Sequence, residues 1–484
     1  MSSQNILEKL KPLFYPRSIA VVGTSESKKN IGNIWVKGLL QVGFKGNVYP
    51  VGYSGGEIKG LKIFPRLSSI PDPVDYVITS IPREAVPDFL DECIAKKVQV
   101  VHFFTAGFSE ADTIGRDLEQ VLLQKARQGG FRIVGPNSLG IYCPEHRVPY
   151  GPNGLYMESG TVAFLCQSGG IGFKLVELGE AMGIKYSKGI SMGNGIDLDS
   201  HEYLEYLAAD PKTAIIGAYL EGTRNGKRLF NTLKEMAKVK PLIVWKGGRT
   251  QAGAVVAQSH TGSIASSSFN WSTALKPAGA IEVFSIDELT DTMLIFQQLG
   301  QWQGKGIGIA GGFADGGGGI CVTASDTFAE HGFSLPQFSA DTEQQLGNLL
   351  GRIVNILRNP VDVGLVAGNP AIIREATKSI IADPAVDMLV IQEDIGLICN
   401  ILKKGTIDAI NDIFIDLRAS QPKPIVAVLP HGLFETERAE IAHRLNKAGI
   451  PVFVTMERAA KAIKNLRQYT ERHHPITQRE YTRE

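Results

Sequence analysis

SIAVVGTSESKKNIGN, residues 18–33, sets the grammar of the whole chain. Ile19–Val22 is apolar at every position, Gly23 ends the run, and small polar residues lead into a helix start. A short run without alternation belongs in a strand buried on both faces, the situation of a parallel sheet. The pattern recurs in GTVAFLCQSGG (160–170), AIIGAYLEG (214–222), PLIVWKGG (241–248) and GIGIAGG (306–312). Helical patterns fall between these runs, among them GFKLVELGEAMG (172–183) and NTLKEMAK (231–238). Strand, glycine turn and helix repeated this often predict doubly wound α/β units. The Pro- and Gly-rich stretch Cys143–Gly154 reads as a linker, and a second break falls at Leu299–Gly306. The expected units are 1–148, 149–300 and 301–470, with a charged tail at 471–484.

Bulk composition excludes several classes of function. Across 484 residues, 50 Lys and Arg stand against 49 Asp and Glu, a net charge of +1. Such a chain has no long-range field to draw nucleic acid or an anionic membrane, so any anion must be held by a local device such as a helix start. The N-terminus lacks a basic segment followed by an apolar one, and no apolar run spans a bilayer, so the expected location is the cytoplasm. The five cysteines show no CxxC spacing, and no metal site is expected.

The first unit reads as Rossmann-like, yet it lacks the nicotinamide signature. Ser25 stands where a GxGxxG fingerprint has its second glycine, and NVYPV (47–51) ends without the acidic residue that holds a ribose. Ser25 or Ser27 is the expected cap of the next helix. Further strands end at Ile81-Pro82, Thr105–Phe108 and Pro136–Gly140, and ligands bind beyond such carboxyl ends. SIAVVGTS, the strand–proline of NVYPV, GGEIKGLKIFP (55–65), TAGFSE (105–110) and GPNSLG (135–140) together resemble the CoA-binding domain of ADP-forming acetyl-CoA synthetases, within the succinyl-CoA synthetase superfamily. The resemblance implies that Gly23, Thr24, Ser25, Pro50, Ile81, Pro82, Thr105, Gly107 and Asn137 line a CoA site. Related sequences carry a basic residue after the second strand, whereas this chain has Gly52-Tyr53-Ser54; Lys28, Lys29 or Lys59 would have to substitute.

In the second unit, Gln167-Ser168-Gly169-Gly170 joins a strand to a helix. Two glycines at a helix start expose N–H groups to an anion, although an ordinary cap has the same form. Glu221 ends an apolar strand and so faces the ligand crevice or a salt-bridged rim. His260 lies among Ser259, Thr261, Gly262 and Ser263, which reads as a thin loop and not as an apolar core stretch. An imidazole that accepts a phosphoryl group must have one nitrogen free and the other held by a hydrogen bond, and Glu221 is the candidate holder. SHTGS (259–263) is similar to the phosphohistidine segment of the same family, and YLEG (219–222) is similar to its glutamate segment. The resemblance implies that His260 carries the phosphoryl group, that Glu221 stabilises it, and that Ser168, Gly169 and Gly170 cradle phosphate.

The third unit opens with Ala310–Asp315 and Gly316–Gly319, where the family has Asn-Ala-Gly-Gly-Pro, while NPVDVG (359–364) matches the family. The resemblance implies a Rossmann-like CoA-binding domain followed by two flavodoxin-like parallel-sheet domains. It also implies a reversible reaction: acyl-CoA, ADP and phosphate give acid, CoA and ATP through an acyl phosphate and phosphohistidine. No P-loop occurs in the chain, so ADP or ATP with Mg is expected on an ATP-grasp β-type partner in a hetero-oligomer. The small-molecule substrates are a carboxylic acid and its acyl-CoA, with acyl specificity expected from Gly135–Tyr142 and Ser191–Asp197. A non-catalytic CoA-binding scaffold of the same fold is the rival reading, and a nicotinamide oxidoreductase is a more distant one.

Overall fold

The computed structural model describes residues 3–26, 30–261, 271–311, 318–350, 357–363 and 368–473. The chain divides into two compact units, one comprising residues 1–180 and 184–289 and the other residues 181–183 and 290–484.

The first unit holds two sheets. It opens with α1 (Ser3–Phe14), whose Ile6, Leu10, Leu13 and Phe14 are buried at helical spacing. The strands β1 (Ser18–Val22), β2 (Asn47–Val51), a short β3–β4 hairpin (Glu57–Ile58 and Leu61–Lys62), β5 (Tyr76–Thr79), β6 (Val100–Phe103) and β7 (Arg132–Val134) follow. Helices α2 (Ile31–Gln41), α3 (Val86–Lys96) and α4 (Thr113–Gly129) cover them. The sheet order is β2-β1-β5-β6-β7, parallel throughout. Every residue of β1, β5 and β6 is buried, which is why these segments are mostly apolar without alternation, Ser18, Thr79 and His102 apart.

The second sheet has the order β13-β12-β11-β9-β10-β8. It is built from β8 (Gly140–Tyr142), β9 (Val162–Cys166), β10 (Tyr186–Ser191), β11 (Ile215–Leu220), β12 (Leu242–Lys246) and β13 (Ile281–Val283). Its helices are α5 (Gly169–Met182), α6 (Ser200–Ala209), α7 (Gly226–Met236), α8 (Gln251–Thr261) and α9 (Trp271–Ala278). Only β8 runs antiparallel, against β10. The stretch read as a linker is packed: Tyr142, Cys143 and Tyr150 are fully buried, and the Tyr150 hydroxyl donates to the Gly169 carbonyl at 3.1 Å. Aromatic bulk holds this segment where its prolines and glycines suggested a loose tether. One core runs through both sheets, with the rings of Phe14 and Tyr206 stacked at 4.3 Å.

The second unit carries β14 (Ile307–Gly311), β15 (Val361–Asp362), β16 (Met388–Gln392), β17 (Ile425–Val428) and β18 (Val452–Phe453) in the order β15-β14-β16-β17-β18. Apart from the hairpin and the β8 edge, all three sheets share one doubly wound order, second-first-third-fourth-fifth in chain order. The sequence's α/β architecture is therefore the observed one. Of the Gly-rich turn at 311–319, residues 312–317 lie outside the described residues, as do Lys28, Lys29 and the tail beyond His473. Among the described residues no helix is long and apolar enough to cross a membrane.

Candidate active site

In a doubly wound sheet the chain leaves in opposite directions at the switch point, and the diverging loops open a crevice at the carboxyl ends of the strands. In the first unit the crevices of both sheets contribute to one cavity of about 610 Å³. The first sheet contributes Ile31, Ser80, Ile81, Pro82, Phe104, Thr105 and Ala106 to its wall. Asn137, Ser138 and Leu139 line it from the loop after β7, Gln167–Gly170 from the end of β9, and His260 from α8.

Four of the nine residues expected to hold CoA, Ile81, Pro82, Thr105 and Asn137, line this cavity. Gly23, Thr24, Ser25, Pro50 and Gly107 are not among its lining residues. Gly23 and Thr24 stand just behind it, their N–H groups both donating to the Val51 carbonyl, at 3.1 and 3.0 Å. Pro50 sits within β2, in register with Val21. Ser25 is tied to Asn33, and the cap of α2 is Asn30, not Ser25; its side chain accepts from the N–H groups of Gly32 and Asn33, while Ser27 lies outside the described residues. Asn30 wins because it directly precedes α2. The Gly107 N–H donates to Glu110 Oε1 at 2.6 Å, and its carbonyl accepts from Arg83. Lys59 occupies the exposed β3–β4 turn with φ 51°.

The cavity wall is fixed by polar residues: Thr105 and Asn137, expected there, and His102 and Glu119, which the sequence pattern left unremarked. Thr105 donates its hydroxyl to the Ile81 carbonyl at 2.8 Å and accepts the Asn137 N–H on its own carbonyl at 3.0 Å. Asn137 holds φ 56°, a left-handed backbone that Asn tolerates better than most residues. His102 is fully buried in β6, and its Nε2 meets the Ser138 carbonyl at 3.0 Å. Burial drives its pKa down to about 4, so it is neutral and serves as an anchor. Glu119, also buried, accepts from Ser109, Asn194 and Arg224, joining the TAGFSE loop to the loops of the second sheet. Where those loops meet, a Cβ on Gly193 would lie 2.1 Å from the Pro136 carbonyl oxygen, so only glycine fits.

The phosphate-type turn sits at the head of α5. Gly169 and Gly170 open that helix, and its first internal bond runs from Gly172 N–H to the Ser168 carbonyl at 3.2 Å. The N–H groups before it have no helical acceptor, and the helix dipole adds partial positive charge there. A Cβ on Gly169 would come within 2.9 Å of the Leu139 side chain, so this position keeps the turn against the cavity wall.

His260 departs from expectation in one respect. It occupies the last turn of α8 and not a loop, because Gln251, Ala252, Ala254 and Ala257 favour a helix enough to carry Gly253, Val255 and Val256. Its side chain is 47% exposed, and its Nδ1 lies 3.1 Å from Glu221 Oε2 and 3.2 Å from Oε1. Glu221 directly follows β11 and is 4% exposed. A carboxylate can only accept, so Nδ1 carries the proton and Nε2, which has no hydrogen-bond partner among the described residues, presents its lone pair. The Glu221 hydrogen bond raises the His260 pKa above the ordinary 6.5; burial opposes the rise, and the charges of Glu221 and Glu110 add to it.

Glu221 is itself held from three sides. The Tyr219 hydroxyl donates to Oε1 at 3.0 Å. Gln167 Oε1 accepts the N–H groups of Glu221 and Gly222 at 2.8 and 3.0 Å. The buried Lys246 ammonium donates to the Glu221 carbonyl at 2.7 Å. Burial lowers the Lys246 pKa, and Glu221 partly offsets that. Among the described residues, no group of three His, Cys, Asp or Glu side chains is placed to hold a metal ion.

The chain is similar to known proteins along nearly its whole length. A CoA binding domain family matches residues 17–144, and a succinyl-CoA ligase like flavodoxin domain family matches residues 159–296. The α subunit of acetate–CoA ligase (ADP-forming) I from Pyrococcus furiosus is 33% identical over 470 residues, covering 95% of this chain and 98% of that one. Acetate–CoA ligase (ADP-forming) I from Archaeoglobus fulgidus is 35% identical over 73% of this chain, but the match spans only 50% of that longer protein. Among solved structures, acetyl-coenzyme A synthetase 1 of Candidatus Korarchaeum cryptofilum, in complex with phosphate and ADP, superposes with a TM-score of 0.82 at 31% identity. That superposition covers 97% of this chain and 99% of the other.

Proposed function

This chain belongs to the family of ADP-forming acetate–CoA ligase α subunits, and on that premise we propose that it is an acid–thiol ligase subunit whose phosphoryl carrier is His260. The observation that carries the proposal is one cavity lined at once by the strand ends of the first sheet, by the Ser168–Gly170 turn and by His260. The rival reading, a scaffold that only binds CoA, gives no reason for an exposed imidazole hydrogen-bonded to a buried carboxylate at that wall.

In this reading residues 1–148 hold CoA, 149–300 carry out the phosphoryl chemistry, and 301–470 form the second flavodoxin-like part. The cavity suits the long, mostly uncharged arm of CoA: Ile31, Ile81, Pro82, Phe104 and Leu139 supply apolar surface, while Thr105 and Asn137 supply polar groups. Gly23, Thr24, Ser25, Pro50 and Gly107 shape the same carboxyl edge from behind.

The reaction divides into three transfers. A phosphate oxygen, held at the α5 head by Ser168, Gly169 and Gly170, attacks the acyl carbonyl carbon; the C–S bond breaks and the thiol of CoA leaves. Nε2 of His260 then attacks phosphorus; the bond to the acyl oxygen breaks and the acid leaves as a carboxylate. Throughout, Glu221 keeps the proton on Nδ1 and offsets the positive charge that grows on the ring. Finally the N–P bond breaks as the phosphoryl group passes to ADP. The names and lengths of the relatives, some split into subunits and some longer single chains, imply a partner for this last step. We assign ADP and Mg to an ATP-grasp subunit. Specificity for the acid falls to the wall formed by Phe104 and the Asn137–Leu139 loop.

The test is turnover of the chain with its co-expressed ATP-grasp subunit, following thiol release from acetyl-CoA in ADP, Mg and phosphate. Thiol release that requires both phosphate and ADP is the expected result. CoA binding without any such release would favour the scaffold.

A further inference from the structure

Gln167 lies between the last residue of β9 and the turn that opens α5, and is 2% exposed. Its backbone is tied on both sides, N–H to the Tyr219 carbonyl at 3.0 Å and carbonyl to the Gly193 N–H at 3.2 Å. Its side-chain oxygen accepts two backbone donors, Glu221 N–H and Gly222 N–H. Two donors converging on one atom settle which end of the amide is oxygen, because an NH₂ group cannot accept them. Nε2 is therefore turned away from the Glu221 turn. It has no hydrogen-bond partner among the described residues, and Gln167 lines the cavity beside Ser168, Gly169, Gly170 and His260.

A buried amide fixed through its oxygen, with both N–H bonds left for the cavity, is a preorganised donor. We propose that Gln167 Nε2 donates a hydrogen bond to the phosphoryl group as it passes to His260, while Oε1 fixes the glutamate that orients the imidazole. No proton is transferred by the amide; it stabilises charge on a phosphoryl oxygen alongside the N–H groups of the α5 head. The inference rests on His260 as phosphoryl carrier and extends the phosphate site beyond Ser168–Gly170. It also couples the two halves of the machinery, since the side chain that meets the phosphoryl group is the one that positions Glu221.

Two substitutions separate the two roles of the amide. Gln167→Glu keeps an acceptor for the two backbone N–H groups and removes the donor. Gln167→Met removes both without adding charge. In the complex with the ATP-grasp subunit, both variants are expected to raise KM for phosphate about tenfold or more, with KM for CoA within threefold of wild type. Only Gln167→Met is expected to lower the melting temperature, so Gln167→Met carries the kinetic comparison by itself if Gln167→Glu does not fold. The inference is overturned by a phosphate KM within twofold of wild type in Gln167→Glu, or by equal rises for phosphate and CoA in Gln167→Met. Those results leave the proposed function standing as long as wild type accumulates base-stable phosphohistidine that His260→Asn lacks; loss of that contrast removes the proposed function itself.

Discussion

Two strand-end glutamates in sheets of the same winding order behave in opposite ways. Glu221 follows β11 of the second sheet, and Glu393 follows β16 of the third. Both are buried, at 4% and 1% exposure. Glu221 meets an imidazole nitrogen at 3.1 Å and a tyrosine hydroxyl at 3.0 Å. Among the described residues Glu393 Oε2 has no hydrogen-bond partner, and burial pushes its pKa up to about 8, with the Asn411 side chain opposing. Burial alone turns a strand-end acid into a neutral, structural group. A basic partner held at the cavity wall turns the same residue type, at the same place in the fold, into part of a site.

The contrast can be broken most severely at the partner. His260→Asn removes the proposed phosphoryl acceptor, and label incorporation from γ-labelled ATP is expected to fall to background while CoA binding persists. Next comes the holder. Glu221→Gln is expected to slow phosphoryl transfer about 100-fold. It also shifts the pH profile. Wild-type transfer needs neutral His260, so it declines as pH falls through a pKa held above 6.5 by Glu221. Without the carboxylate that acid limb moves to lower pH. The linked stability runs the other way: His260 stabilises the fold fully below its unfolded pKa and loses that contribution as pH rises through the raised folded value.

Glu393→Gln sharpens the comparison from the other side. The folded pKa of Glu393 lies near 8, above the ordinary 4.5, so wild-type stability falls as pH rises from 4.5 to 8. The slope for one proton is at most about 1.4 kcal/mol per pH unit. Glu393→Gln should flatten that decline in thermal melts and leave turnover unchanged. The smallest effect belongs to Tyr219→Phe. Loss of one hydrogen bond, about 1 kcal/mol, slows transfer a few-fold. The carboxylate then has one donor fewer and holds the His260 Nδ1 proton more tightly, so the acid limb moves to higher pH, opposite to Glu221→Gln.

The contrast also shows what the sequence carries. Strands β1, β9, β11, β12 and β14 are legible because burial on both faces keeps their central residues apolar or small, with Ser18 and Lys246 only at strand ends. Glu221 and Ser168 are legible because polar residues at the ends of such runs stand out, and His260 because it lies among small residues and not in an apolar stretch. Gln167 is not, since a lone polar residue between Cys166 and Ser168 reads as part of the turn, and its task appears only when β11 lies beside it. Tyr219 passes for one more strand aromatic until its hydroxyl is seen at 3.0 Å from Glu221. The helical setting of His260 is hidden because small residues and exposed Val255 and Val256 give α8 no apolar stripe. The extent of the cavity wall is likewise out of reach of local pattern, because it depends on how the loops of two sheets meet.

The account turns on a single atom, Nε2 of His260. The most direct measurement is tandem mass spectrometry under alkaline conditions on the chain and the proposed ATP-grasp partner after incubation with Mg-ATP. A phosphoryl group on residue 260, lost on adding CoA and acetate and absent from His260→Asn, is the expected result. A phosphoryl group on another residue, or full turnover by His260→Asn, would contradict it.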